Sequence, residues 1–206
     1  MSGELRDSVS ESALAQPDLA RALARLRRRE PRSRIVRSGT GQAAVTAVLR
    51  VERSVPELLF IRRAELDGDP WSGHMALPGG RLDPDDSSLR AAAIREVREE
   101  LDLDLGLGAV LGRLDDLEPV SRRLPPVVIR PFVAVVPADV QIRPNREVAE
   151  TYWVSIAELR SPAIRSDKVL TVDGERLRFP GYRVGGQIVW GLTERIVSQL
   201  LPLFDP

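Results

Sequence analysis

One stretch constrains this chain more than any other: Leu77-Pro-Gly-Gly-Arg-Leu-Asp-Pro-Asp-Asp-Ser-Ser-Leu-Arg-Ala-Ala-Ala-Ile-Arg-Glu-Val-Arg-Glu-Glu-Leu101, a glycine turn running into an amphipathic helix. The helix is expected from about Ser87 to Leu101, with Asp85 or Asp86 as its N-cap. Ile94, Val97 and Leu101 form one apolar stripe, so the helix must lie on a core. At about 100° per residue, Glu96, Glu99 and Glu100 fall within an arc of roughly 100°, and the stripe lies about 130° away. The helix can therefore pack and present acids at once. Glu96 and Glu100 are a like-charged i,i+4 pair, which destabilises a bare helix. One reading is a solvated acidic face, with Arg95 pairing with Glu99 and Arg98 reaching the flanks. The other is a carboxylate cluster neutralised by a divalent cation, since hard cations such as Mg²⁺ take oxygen ligands and bridge carboxylates to phosphates.

Composition removes several alternatives. The chain has no cysteine, which excludes thiol catalysis, disulfides and Cys-ligated zinc, and its one histidine, His74, rules out a multi-His metal site. Formal net charge is zero, so nothing points to a nucleic-acid scaffold or a membrane surface. Of 30 basic residues only Lys168 is lysine, and arginine number alone carries no phosphate-binding argument. The first thirty residues lack the apolar core of a signal peptide, and no apolar run is long enough to span a membrane, so the expected location is cytoplasmic. At 206 residues the chain fits one domain with an extension.

Residues 1–40 read as an N-terminal appendage, in which Leu19, Leu23 and Leu26 share one stripe of an amphipathic helix with a basic tail. That helix is expected to pack on its own domain or on a homodimer mate rather than to seek an anionic partner. Residues 41–206 read as the main domain. Strands are expected at 43–51 and 58–63 with Ser54-Val-Pro-Glu as the turn, and a loop over Gly68–Gly73 leads to a short strand over His74–Leu77. Val127–Val136 is the most strand-like run, and Pro131 within it implies an edge strand or a bulge. Further strands are expected at Glu147–Val154 and Gln187–Trp190, with a β-ribbon over Gly174–Tyr182. A short helix follows at Ser155–Arg160, and Thr193 caps a last helix that faces the core with Ile196, Val197, Leu200 and Leu201.

The segment Arg95-Glu-Val-Arg-Glu-Glu100 resembles the Nudix box, G-x5-E-x7-R-E-U-x-E-E-x-G-U, at every fixed position of its helix core. Gly80 supplies the leading glycine, and Asp86 stands six residues on, where the family has its first acid. Asp102 replaces the late glycine, and the step from Gly80 to Arg95 is one residue longer than the general pattern. That longer step resembles the coenzyme A pyrophosphatase branch. So do Leu58-Leu-Phe-Ile-Arg62 and Gly73-x3-Leu77-Pro-Gly-Gly80 upstream, although Leu77 replaces Phe and a second Arg is missing. Ile188-Val-Trp-Gly-Leu-Thr-Glu194 is similar to a C-terminal segment of the same branch.

The resemblance implies an α/β (α+β) fold, an α/β/α sandwich with a mixed central sheet, and metal-dependent hydrolysis of a nucleoside diphosphate derivative. It implies Glu96, Glu99, Glu100 and the Gly80 carbonyl as ligands to Mg²⁺ or Mn²⁺, with Arg95 orienting the glutamates. Glycine turns bring backbone N–H groups near anionic oxygens, so Gly79, Gly80 and Arg81, with Arg62, are the expected substrate contacts. The general base stays open among Glu96, Glu100, Glu118, Glu147 and Glu150. Trp71, Trp190 and His74 are open between packing and substrate contact. Coenzyme A or an acyl-CoA is the expected substrate, yielding 3′,5′-ADP and 4′-phosphopantetheine. Another nucleotide derivative is the first alternative, and a non-catalytic Nudix ligand-binding module is the second, disfavoured because all three helix glutamates are kept.

Overall fold

The computed structural model describes residues 15–68, 71–120, 126–172 and 175–206. Residues 1–14 of the expected appendage, Asp69-Pro70 of the expected loop and Gly174 at the start of the expected ribbon lie outside these.

The long strand β1 (Gly41–Glu52) organises the main sheet. It turns through Arg53-Ser54 into β2 (Val55–Arg63), both turn residues having positive φ (47° and 68°). Two consecutive left-handed residues match the twist of the flanking strands, which is why a two-residue loop suffices. The turn thus precedes the expected Ser54–Glu57, and Val55 and Pro56 pair with Glu52 and Val51. On its other edge β1 runs parallel to β6 (Val127–Val135), which pairs with β5 (Val110–Arg113), while β7 (Val148–Ser155) lines the far side of β2.

Beyond the Leu49↔Leu58 pair, β1 and β2 part. Two short strands fill the split: β3 (Met75–Ala76) pairs with β2, and β4 (Gly79–Arg81) pairs with β1. The glycine turn therefore sits in the opening of the sheet.

Pro131 does not mark an edge, because β6 lies between β1 and β5. The proline is tolerated because β5 ends at Arg113, opposite Phe132. The next N–H, that of Leu114, still donates to the Pro131 carbonyl at 2.9 Å; only the reciprocal bond, which proline cannot make, is missing, and the β5–β6 register shifts nearby, between Val110 and Gly112.

Strand alternation divides the core in two. One face of the sheet carries Ala44, Val48, Leu59 and Ile61, and helix α2 (Leu89–Leu101) covers it with Ala92, Ala93, Val97 and Leu101. The opposite face carries Ala47, Leu49, Leu58 and Phe60. It is covered by helix α1 (Pro17–Arg28), helix α4 (Gly191–Leu200) and a second, three-stranded sheet. This is an α/β/α arrangement around a mixed sheet.

The second sheet comprises β8 (Arg165–Val172), β9 (Glu175–Val184) and β10 (Gln187–Trp190). Its strand β8 was not foreseen, the expected ribbon beginning only at Gly174. Helix α3 (Ile156–Arg160) is capped by the Ser155 hydroxyl, which accepts the Glu158 N–H at 3.0 Å. Thr193 is not the cap of α4: Trp190 holds that position, and the Thr193 hydroxyl instead donates to the Met75 carbonyl at 3.3 Å.

In α1, Leu19, Ala22, Leu23 and Leu26 are buried in the same core as the sheet. Leu26 lies so close to Gly112 that a Cβ there would meet it at 2.9 Å. The segment after α1 is strapped to the sheet by acids: Asp115 accepts the Arg32 N–H at 2.9 Å and Asp116 accepts the Arg34 N–H at 3.0 Å. Among the described residues, no helix is long and apolar enough to cross a membrane.

Candidate active site

Helix α2 starts later than its acids suggest. Ser88 is the N-cap, its hydroxyl accepting the Ala91 N–H at 3.1 Å, so neither Asp85 nor Asp86 holds that position. Asp86 closes the preceding loop by accepting the Asp83 N–H at 2.9 Å and turns toward the helix. At the other end Asp102 adopts the left-handed conformation (φ 56°). Aspartate is among the few residues that tolerate that conformation, so it can stand where the box pattern has glycine.

The three helix glutamates occupy different environments. Glu100 is only 2% exposed, and its Oε2 accepts the Gly79 N–H at 2.9 Å. Burial pushes its carboxyl up to about 8; the Gly79 bond and the charge of Arg63 oppose this, while Glu96 and Glu147 add to it. Glu96 is half-buried, and desolvation raises its pKa against the pull of Arg95. Its carboxylate lies where a side chain on residue 80 would be, since a Cβ on Gly80 would come within 2.4 Å of Glu96 Oε1. Glu99 stands at the surface.

Arg95 binds this group together. Its guanidinium donates to Asp86 at 2.9 Å, to Glu96 and Glu99 at 2.9 Å each, and to the Arg81 carbonyl at 3.0 Å. The bond to Asp86 is the main reason its pKa is raised further. The planar fork with five donors suits one residue to hold three carboxylates, a task lysine cannot copy.

The donors here are oxygen only, which fits a hard divalent cation. Glu100 gives the physical test. A carboxyl buried among other acids, its pKa raised chiefly by desolvation, sits where a cation would favour its ionised form. Among the described residues no three acidic side chains already converge into a cation cage. Glu96 and Glu100 face the glycine turn, whereas Glu99 would join them only by leaving Arg95.

The structure thus brings Glu96, Glu100, Gly79, Gly80 and Arg95 together. Arg81 contributes its carbonyl to Arg95, and its side chain is exposed. Arg62 is turned elsewhere and forms an ion pair with Glu150 at 2.6 Å, while the Tyr152 hydroxyl also donates to Glu150. Arg63 is the neighbour whose charge reaches Glu100. The alternation Leu59, Ile61, Arg63 held that signal, because Leu59 and Ile61 face α2. Among the distal acids, Glu147 acts electrostatically on both Glu96 and Glu100. Glu150 is engaged with Arg62, and Glu118 lies near α4, its carbonyl accepting from Arg195 at 2.7 Å. His74 and Trp190 meet edge to face beside β3, with ring centroids 5.2 Å apart, and Trp71 is half-buried in the turn before His74.

Comparison with known proteins bears on this geometry. The family model for the NUDIX domain matches residues 40–172. The chain is 34% identical over 191 residues to the mitochondrial coenzyme A diphosphatase NUDT8 of Mus musculus, covering 91% of this chain and 85% of the mouse protein. It is 32% identical over 164 residues to the uncharacterized Nudix hydrolase NudL of Yersinia pestis, covering 79% of this chain and 80% of that protein. Among solved structures, a MutT/nudix family protein from Enterococcus faecalis superposes with a TM-score of 0.59 at 16% identity, covering 93% of this chain and 72% of that one. At that identity the likeness speaks for the fold.

Proposed function

Because this chain belongs to the Nudix family of hydrolases, we propose that it cleaves the diphosphate bond of coenzyme A or an acyl-CoA, releasing 3′,5′-ADP and 4′-phosphopantetheine. The observation that carries the reaction is the seat formed by buried Glu100 on the Gly79 N–H and Glu96 against Gly80. The mouse coenzyme A diphosphatase supports the choice of substrate, since the likeness runs along nearly the whole chain.

Glu96 and Glu100, with Glu99 after release from Arg95, are the residues that would hold Mg²⁺ or Mn²⁺, along with the Gly80 carbonyl. A divalent cation supplies charge neutralisation for the diphosphate and a more acidic water. Arg95 keeps Glu96 oriented and fixes the loop through Asp86, which limits the reorganisation needed when substrate arrives. The Gly79-Gly80 turn admits the diphosphate close to the backbone because no Cβ fills that space. Proton removal from the attacking water falls to a carboxylate at this seat, with Glu147 the distal acid best placed to share the task.

A second reading, hydrolysis of another nucleoside diphosphate derivative, is favoured by Leu77, buried in the core at the position where the branch pattern has Phe. The deciding experiment offers the protein coenzyme A, NADH, ADP-ribose, diadenosine polyphosphates and nucleoside triphosphates, each with Mg²⁺ or Mn²⁺. Preferred turnover of coenzyme A is expected. Turnover of the others without coenzyme A would overturn the substrate, and no turnover at all would overturn the activity.

A further inference from the structure

Outside the carboxylate seat, three aromatic side chains gather at the junction of the two sheets. Trp190, the last residue of β10, meets His74 with centroids 5.2 Å apart and an interplanar angle of 64°. It meets Phe179 of β9 at 5.5 Å and 50°. All three are half-buried, so the cluster keeps open surface. Trp190 and Phe179 share one face of the second sheet: Trp190 is paired with Gly181, two residues along β9 from Phe179, and strand side chains repeat their face every second residue. Tyr182 and Val189, on the opposite face, fill the core. The trio is therefore not simply the inner layer of the sheet.

Lys168 belongs to the same face. It stands directly across the β8–β9 ladder from Phe179, which puts the two side chains on one side of the ribbon as neighbours. It is the single lysine of the chain and forms no ion pair with the described residues. An ammonium on a flexible stem is suited to meet a phosphate as a point charge.

Two hydrogen bonds connect the platform to the site. The His74 carbonyl accepts the Arg63 N–H at 3.0 Å, and Arg63 is the cation that acts on Glu100. The Thr193 hydroxyl, three residues after Trp190, donates to the Met75 carbonyl. From His74 the chain reaches Gly80 in six steps, on the order of 20 Å when fully extended. The platform thus lies no farther than that reach from the glycine turn, joined to it through β3.

We propose that Trp190, flanked by His74 and Phe179, is the purine-stacking platform of the substrate site, and that Lys168 receives a phosphate carried on the ribose of that nucleoside. Aromatic faces bind any base by stacking, so the platform gives affinity, and the ammonium selects nucleotides bearing the extra phosphate. This rests on the proposed hydrolysis of coenzyme A, whose adenosine carries such a phosphate.

Calorimetric titration with 3′,5′-ADP and with 5′-AMP tests it without requiring turnover. Wild-type protein should prefer 3′,5′-ADP. Trp190→Ala should weaken both by about 10-fold or more, and Trp190→Phe should restore most of that loss. Lys168→Met should remove the preference while leaving 5′-AMP affinity unchanged. In steady state Trp190→Ala should raise KM with kcat nearly unchanged, and Lys168→Met should raise KM for coenzyme A but not for dephospho-coenzyme A. Unchanged affinities in folded Trp190→Ala, or an intact preference in Lys168→Met, would overturn the platform. The second variant alone decides if the first does not fold. A wild-type protein that binds 3′,5′-ADP in this way yet leaves coenzyme A intact would refute the activity and keep the subsite.

Discussion

The Glu100 carboxylate takes the Gly79 N–H at 2.9 Å, tying the glycine turn to the last turn of helix α2 across a buried contact. The bond fixes the seat in position and holds an acid where water cannot solvate its charge.

A pH dependence follows. The folded carboxyl titrates at about 8, against an ordinary 4.5, so between those values the folded chain binds more protons than the unfolded one. Stability must then fall as pH rises across that window, and a divalent cation that compensates the charge must relieve the fall. Thermal melts in chelator should show Tm declining from about pH 5 to about pH 8, with added Mg²⁺ flattening the slope. Glu100→Gln keeps an acceptor for Gly79 and cannot ionise. It should flatten the slope without metal and lose about 100-fold or more in turnover. A parallel decline in the variant would refute this account.

The two glycines should fail in opposite ways. Gly79 has φ 148°, and a Cβ there would lie 2.2 Å from the Ala44 carbonyl oxygen. The obstructing atoms, of Ala44 and Val45, are all backbone, so Gly79→Ala should cost about 3 kcal/mol or more. A Cβ on Gly80 meets only the end of the Glu96 side chain, which can swing aside. Gly80→Ala should therefore melt within a few degrees of wild type yet lose about 100-fold in activity through displaced Glu96. Chemical denaturation and steady-state kinetics on the pair would distinguish the two roles.

Much of this was legible in the sequence, and what was not has physical causes. The period of α2 separated its acids from Val97 and Leu101, but helical angle alone could not show that Glu100 is buried. That depends on β4, which brings Gly79 to Glu100 through pairing with β1. Asp86 looked like a helix cap because local chemistry makes it a good one. Tertiary contact with Arg95 claimed it, and Ser88 was left to cap. The Pro131 rule assumed a continuous neighbour, whereas β5 stops beside it. Strand β8 was missed because its pairing with β9 and the apolar surface that orders it lie outside the local sequence. Motif position singles out Arg62, but strand alternation sends only one of Arg62 and Arg63 toward the site, and the structure makes it Arg63.

Arg95 is a positioning residue on this geometry, and lysine tests that role. Arg95→Lys keeps the charge but cannot bridge Asp86, Glu96, Glu99 and the Arg81 carbonyl together. Turnover should drop about 10-fold or more, and the Mg²⁺ concentration for half-maximal activity should rise as Glu96 loses its orientation. Asp86→Asn should reproduce part of the loss, because it loosens the same guanidinium from the loop side. Wild-type Mg²⁺ dependence in both variants would argue against the role.

The strap behind α1 offers a contrast remote from the box helix. Asp116 has a buried side chain that accepts from Arg130 at 2.8 Å through both oxygens and from the Arg34 N–H at 3.0 Å. Burial raises its pKa, but these bonds and the nearby Arg113 more than offset that and hold it below the ordinary 3.8. A depressed carboxyl stabilises the fold above its unfolded pKa and loses that contribution as pH falls through the folded value. Asp116→Ala removes the acceptor and leaves Arg130 and the Arg34 N–H uncompensated. Because Arg130 is partly exposed, the expected cost is about 2–3 kcal/mol, below the roughly 3–5 kcal/mol of fully buried pairs. The Arg29–Arg37 segment should become the preferred site of limited trypsin cleavage, while kcat stays near wild type because Asp116 and its partners Arg130 and Arg34 lie outside the carboxylate seat. Proteolysis as slow as in wild type would mean that α1 packing alone, through Leu19, Leu23 and Leu26, holds the segment down.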